Sequence, residues 1–177
     1  MRIDALLSFV PLGAPLSLIG GNNNSVRSNV LDLLGQGQGT APVNIIGTTT
    51  LFGTDQGIGT FRPELMVALG NLAVLGATSY NFALQAAPDA GTPTYLPGAW
   101  TTLAETGAIP IANLTANQVV ARFPWLPAFP ANLQPRYLSL LMTAVGVPTQ
   151  GSIAFALVTL VRDDLANKYA AKNFKVA

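Results

Sequence analysis

The side chains whose types could move protons in this chain are eight carboxylates: Asp4, Asp32, Asp55, Glu64, Asp89, Glu105, Asp163 and Asp164. His and Cys are absent. A Ser-His-Asp or Cys-His nucleophile therefore has no parts to be built from, and the usual proton carrier of neutral pH is missing. Two carboxylates alone can serve as acid and base on a glycosidic bond. These eight fall mainly at strand edges and in loops, where solvated caps and local ion pairs are expected instead. Gly35-Gln36-Gly37-Gln38-Gly39 has the glycines of a phosphate loop but neither a following Lys-Ser/Thr nor a helix pattern downstream, and reads as a flexible loop. The chain is expected not to be an enzyme and to hold no cofactor or metal.

Charge is scarce everywhere. Nine basic and eight acidic side chains serve 177 residues, of which half are hydrophobic, against about 25% charged residues in an ordinary soluble domain. So little charge leaves a weakly solvated exterior, and partner surfaces are expected to cover part of it. A net charge of +1 supplies no long-range field for phosphate or anionic lipid, so no nucleic-acid partner is expected. The only lysines, Lys168, Lys172 and Lys175, stand in the last twelve residues with Tyr169 and Phe174. This basic end is expected to touch acidic surface on a protein partner. Its acids come first and its lysines last, an order that suits a helix, and an extended docking tail is equally open.

Residues 65–88 and 137–161 carry no charge and reach the ~20 residues of a spanning helix. Gly70-Asn71 and Gly76 interrupt the first, and Pro148 to Gly151 the second, so each is read as two strands and a connection. No membrane partner is expected. The short apolar run from Ala5 to Val10 follows Asp4 and is broken by Pro11 and Pro15, unlike a signal peptide. The absence of Cys fits a reducing compartment.

Alternation with period two marks the strands. Tyr80, Phe82 and Leu84 point one way from Thr78 to Ala86, with Ser79, Asn81, Ala83 and Gln85 opposite. Ile153, Phe155, Leu157 and Val161 are read as one face of a strand whose other face is also apolar, so it is expected to be covered on both sides. Further strands are expected at 29–34, 43–52, 64–69, 100–105, 118–123 and 137–144. Short strands with long Pro-rich excursions at 86–99 and 124–135 predict an all-β fold: an antiparallel β-sandwich of jelly-roll type with an extended N-terminal arm and a short C-terminal tail. The divisions expected are an arm at 1–28, the domain at 29–162 and a tail at 163–177. An arm that long reaches about 90 Å when extended, and Leu6, Leu7 and Phe9 at its apolar start are expected to dock on a neighbouring subunit. Deletion of residues 1–20 is expected to leave the domain folded. Trp125 and Phe129, in the second Pro-rich loop, are candidate interface anchors or plugs for the end of the sandwich.

Several motifs, taken in order, resemble one family. They are Met1-Arg2-Ile3-Asp4-Ala5-Leu6-Leu7-Ser8-Phe9, Ser28-Asn29-Val30-Leu31-Asp32-Leu33, and Gly57-Ile58-Gly59 followed by Pro63-Glu64-Leu65. Next come Tyr80-Asn81-Phe82-Ala83-Leu84-Gln85, Glu105-Thr106-Gly107-Ala108-Ile109-Pro110, and Arg136-Tyr137-Leu138-Ser139-Leu140 before a turn and Gly151. Their order and spacing are similar to the Bordetella-phage-type capsid cement proteins of tailed phages, over most of residues 1–165. The resemblance implies a jelly roll on the exterior of the capsid of a virion assembled in the host cytoplasm. It further implies a homo-oligomer, dimer or trimer, that bridges neighbouring copies of the major capsid protein. It brings no catalytic residues. The chain departs from the family pattern at 41–54 and after Asp164. A different class of function, a carbohydrate-binding module on the virion surface, would need an exposed aromatic platform, which only the surroundings of Trp125 or Trp100 could supply.

Overall fold

A computed structural model describes residues 3–20, 24–33, 36–40, 50–52, 63–91, 96–124 and 135–160. Thirteen strands follow one another in these segments. They are β1 (Ile3–Val10), β2 (Leu16–Ser17), β3 (Ser25–Arg27), β4 (Leu31–Asp32), β5 (Gln36–Thr40), β6 (Thr50–Phe52) and β7 (Pro63–Leu69). The second half has β8 (Leu75–Ala87), β9 (Thr101–Glu105), β10 (Ile109–Pro110), β11 (Val119–Pro124), β12 (Tyr137–Gln150) and β13 (Ser152–Leu160). One 3-10 turn, Ile111–Asn113, is the only helical element among the described residues.

Two antiparallel sheets pack face to face. One has the order β1-β13-β7-β11 with β2 also on β13, and the other β10-β8-β12-β3 with β4 on β12 and β9 on β8. The chain is thus all-β, as expected. The β5–β6 pair forms a small sheet of its own, joined to neither. Residues 36–39, expected in a loop, lie in β5.

The two charge-free stretches supply the middle of both sheets. Each is two strands and a connection, as read: β7 passes to β8 through residues 70–74, and β12 passes to β13 at Gly151. β8 lies along β12 and β7 along β13. The second split falls at Gly151 and not at Pro148, which stays inside β12. At Gly151 the backbone takes φ +134°, and an added Cβ would press on Val74 at 3.1 Å.

Alternation in β8 places Tyr80, Phe82, Leu84 and Ala86 in the core between the sheets, opposite Leu138, Leu140, Met142 and Ala144 of β12 and their register partners. β13 is buried on both faces, but its reading needs correction. A bulge between Ile153 and Phe155 shifts the register, so Ile153 shares the core face with Ala156 and Val158. Leu157 and Thr159, on the other face, are buried as well. Val161 lies outside the described residues.

The expected arm is the second correction. Residues 3–10 form β1, antiparallel to β13, and Phe9 is fully buried with Val10 and Leu18 in the core. Asn29 N donates to Phe9 O at 3.0 Å, closing the flank between the sheets. Ser25–Arg27 pairs with β12, so the sandwich begins at residue 3 and not 29. Phe9 is therefore no partner contact, and removing residues 1–20 would strip an edge strand and part of the core. The cause is tertiary: an apolar strand finds its partner about 150 residues away, invisible to local periodicity.

Candidate docking surface

Four segments, 11–20, 70–78, 112–119 and 145–152, contain no charged side chain. Backbone hydrogen bonds hold them together: Leu18 N donates to Gly151 O at 3.0 Å, Gly70 N to Ser152 O at 2.8 Å and Asn117 N to Gly70 O at 2.8 Å. They make one end of the sandwich and the flank beside it. Seven of the nine exposed large apolar residues among the described ones lie in them: Leu12, Ile19, Leu72, Leu75, Val119, Val145 and Val147. Val147 is 67% exposed and Val145 59%.

The exposure of Val145 and Val147 follows from their alternation with the buried Ala144 and Pro148. β12 stays in step with β8 from Tyr137 to Val145 and then slips, with irregularities on either side of the Gly146–Ala77 pair. Past this slip, Val147 is turned to solvent while Pro148 is buried. The backbone is tightly fitted here. Gly76 has φ +89°, and a Cβ on it would lie 2.6 Å from both Thr149 N and Val147 O, closer than any real side chain is tolerated. Gln150 Nε2 adds a bond to Ala73 O at 2.9 Å. The apolar side chains are thus displayed on a preorganised frame, which lowers the ordering cost of any contact they make.

The opposite end gathers charge. Arg136 donates from Nε and Nη2 to the two oxygens of Asp32 at 3.0 and 2.9 Å, and from Nη1 to Asp89. Its guanidinium carbon also stands 5.1 Å from the Tyr137 ring. The hydrogen bond to Asp32, first among the causes, raises the Arg136 pKa above its ordinary value. Burial raises that of Tyr137. Asp32 and Asp89 are both engaged by one guanidinium. Arg122 and Glu64 form a separate, more exposed ion pair at 3.3 Å. Among the described residues no three His, Cys, Asp or Glu side chains group as a metal site, and no helix is long and apolar enough to cross a membrane.

A third feature lies on the outward face of the β8–β12 sheet. Arg27 stacks over the Trp100 ring at 4.2 Å and donates from Nη2 to Gln85 Oε1 at 2.8 Å. Gln85 is held in turn by Thr102, and neighbouring Asn81 bonds Glu105. Burial lowers the Arg27 pKa. Trp100 is half-buried with one ring face taken by Arg27, so it is not the open platform that stacking on a sugar requires.

Of the sequence-predicted contacts, Leu6 and Leu7 lie on the backbone of β1, and their side chains are outside the described residues. So are Trp125, Phe129, Lys168, Tyr169, Lys172, Phe174 and Lys175, with the whole of the 163–177 tail. The apolar end was missed as a site. Its one signal was the charge-free run itself, which is read above only as two strands and a connection; in the structure Val145 and Val147 alternate with the buried Ala144 and Pro148. Compared with known proteins, the chain matches no protein-family model and no curated protein sequence.

Proposed function

We propose that the chain is a structural cement protein: it binds the outside of a phage head and bridges major capsid protein subunits, without catalysing a reaction. The observation that carries this reading is the strand order. With β3–β4 and β9–β10 each counted as one strand, and β2 and β5–β6 set aside, the first, last, third and sixth strands share one sheet. The second, seventh, fourth and fifth share the other, the order expected of a jelly roll. A jelly roll is the fold the resemblance implies, and this order supports that reading. A jelly roll hosts many functions, so the surface must supply the rest: engaged carboxylates and an exposed, uncharged apolar end suit a protein that works by contact. Many copies, each burying modest area, resist detachment because several contacts must break together.

The test compares particles assembled with and without the protein. Omission is expected to lower the resistance of DNA-filled heads to heat and osmotic shock, and cryo-EM maps are expected to place the protein outside the shell. Unchanged resistance, or an interior position, would overturn the reading.

A further inference from the structure

We infer that the outward face of the β8–β12 sheet is a docking surface for a protein partner that brings a carboxylate to Arg27 and a basic group to Glu105. Three arginines lie among the described residues. Arg122 pairs with Glu64, and Arg136 with Asp32 and Asp89, but no described carboxylate pairs with Arg27. Its guanidinium is held by the amide oxygen of Gln85 and by the Trp100 ring. Nη1 is shielded from water and has no partner among the described residues. Such a group has lost hydration without gaining a counter-charge, which is costly. The acid that would meet it has to come from outside.

Register fixes what else that partner meets. Arg27, Leu141, Ala83 and Glu105 are successive neighbours across β3, β12, β8 and β9. The cation and the anion therefore stand three strand spacings apart, about 14 Å, too far to pair with each other. Glu105 is exposed and accepts from the neutral Asn81 at 2.8 Å. A surface that carries an acid and a base at this spacing satisfies both ends of the row at once, whereas one with two like charges gains at one end and is repelled at the other. Glu105 likewise works against a polyanion such as nucleic acid. A free small carboxylate would have one guanidinium on a sheet face to hold it, which is worth little alone. Arg27 keeps part of its surface open, and its charge is delocalised over the guanidinium, so a carboxylate on the open side answers the whole group. The stacked Trp100 ring and the Gln85 bond hold that group in place, which lowers the ordering cost of docking. The inference rests on the charges of this face and does not require the shell reading.

The probe is a blocked peptide, acetyl-Glu-Thr-Thr-Thr-Lys-amide, whose charged side chains share one face when extended and lie about 14 Å apart. Its binding to the full chain is followed by proton–nitrogen NMR at the Trp100 indole and the Arg27 Nε–H, with Trp100→Phe assigning the former. Saturable shifts at both signals are expected, with a dissociation constant on the order of 1 mM. Replacing the peptide's Glu by Gln, or Arg27→Gln in the chain, should weaken binding about 5-fold, and replacing the peptide's Lys by Glu about 3-fold or more. The peptide changes leave the chain native, so they decide the matter even if Arg27→Gln does not fold. Absence of saturable shifts at millimolar peptide, equal binding of the Glu and Gln peptides, or equal binding of the peptides ending in Lys and in Glu would overturn the inference. No particle enters this test, so its outcome and that of the comparison of phage heads are independent.

Discussion

At one end of the sandwich Gly76, Gly146 and Gly151 take positive φ and valines and leucines beside them face water. At the other, Asp32, Arg136 and Asp89 are drawn into one cluster. Both ends lie at the ends of the same two long strands, β8 and β12, yet one is held by main-chain fit and the other by side-chain charge. In a chain with so few charged residues the described charges at these two ends are largely used against each other, and what remains there for outside contact is apolar. Fit without charge also makes an end that salt cannot loosen, whereas the charged end answers to ionic strength.

The largest effect is expected from a single methyl group. Gly76→Ala places Cβ against backbone at 2.6 Å in a left-handed conformation, and should cost more than about 4 kcal/mol in urea unfolding. Gly91 belongs to the charged end and has φ +108° with nothing within 4 Å of a Cβ. Gly91→Ala should therefore cost only the conformational strain, about 1–3 kcal/mol. Equal costs would mean that close fit does not distinguish the two ends.

Arg136→Gln comes next. It leaves Asp32 and Asp89 without their shared cation, so the melting temperature should fall, and added salt should narrow the gap from the native chain by screening the two carboxylates. A gap independent of salt would remove charge as the organising force of that end.

Tyr80→Phe probes the core beneath the apolar end. The Tyr80 hydroxyl is buried with no partner among the described residues, and burial pushes its pKa up to about 12. Deleting it should raise stability by about 1 kcal/mol at neutral pH. The pH dependence has a definite sign. The neutral phenol's contribution is complete below the unfolded pKa of about 10, and it is lost as pH climbs from there through about 12. The variant should show a shallower alkaline decline across that window in denaturation curves followed by circular dichroism.

The smallest effect is expected at Val147→Ser, which should leave stability within about 0.5 kcal/mol because the side chain is two-thirds exposed. A larger loss would show that the residue packs inside its own subunit after all.

How much of this was legible depended on distance along the chain. The faces of Tyr80 to Gln85 and the splitting of the two charge-free runs could be read because period and breakers are local signals. The placement of Phe9 and the pairing of Ser25–Arg27 with β12 could not, since they rest on partners more than a hundred residues away. Bulges defeated the reading in a different way. At Phe155 one extra residue exchanges the two faces of β13. Arg27 on Trp100 joins residues 73 positions apart and carries no motif.

The pairing of β1 with β13 also sets an order of events in the cell. Residues 3–10 leave the ribosome well before their partners, and Ser8 and Val10 have none until Leu157 and Ala156 have been made. At about 5–20 residues per second, that wait lasts on the order of ten seconds. Throughout it Phe9 and its neighbours are exposed on a growing chain, and closure then has to bring together the most distant parts of the described sequence. Such long-range pairing makes folding slow. Hydrogen exchange pulsed during refolding should find β8 and β12 protected early and β1 last.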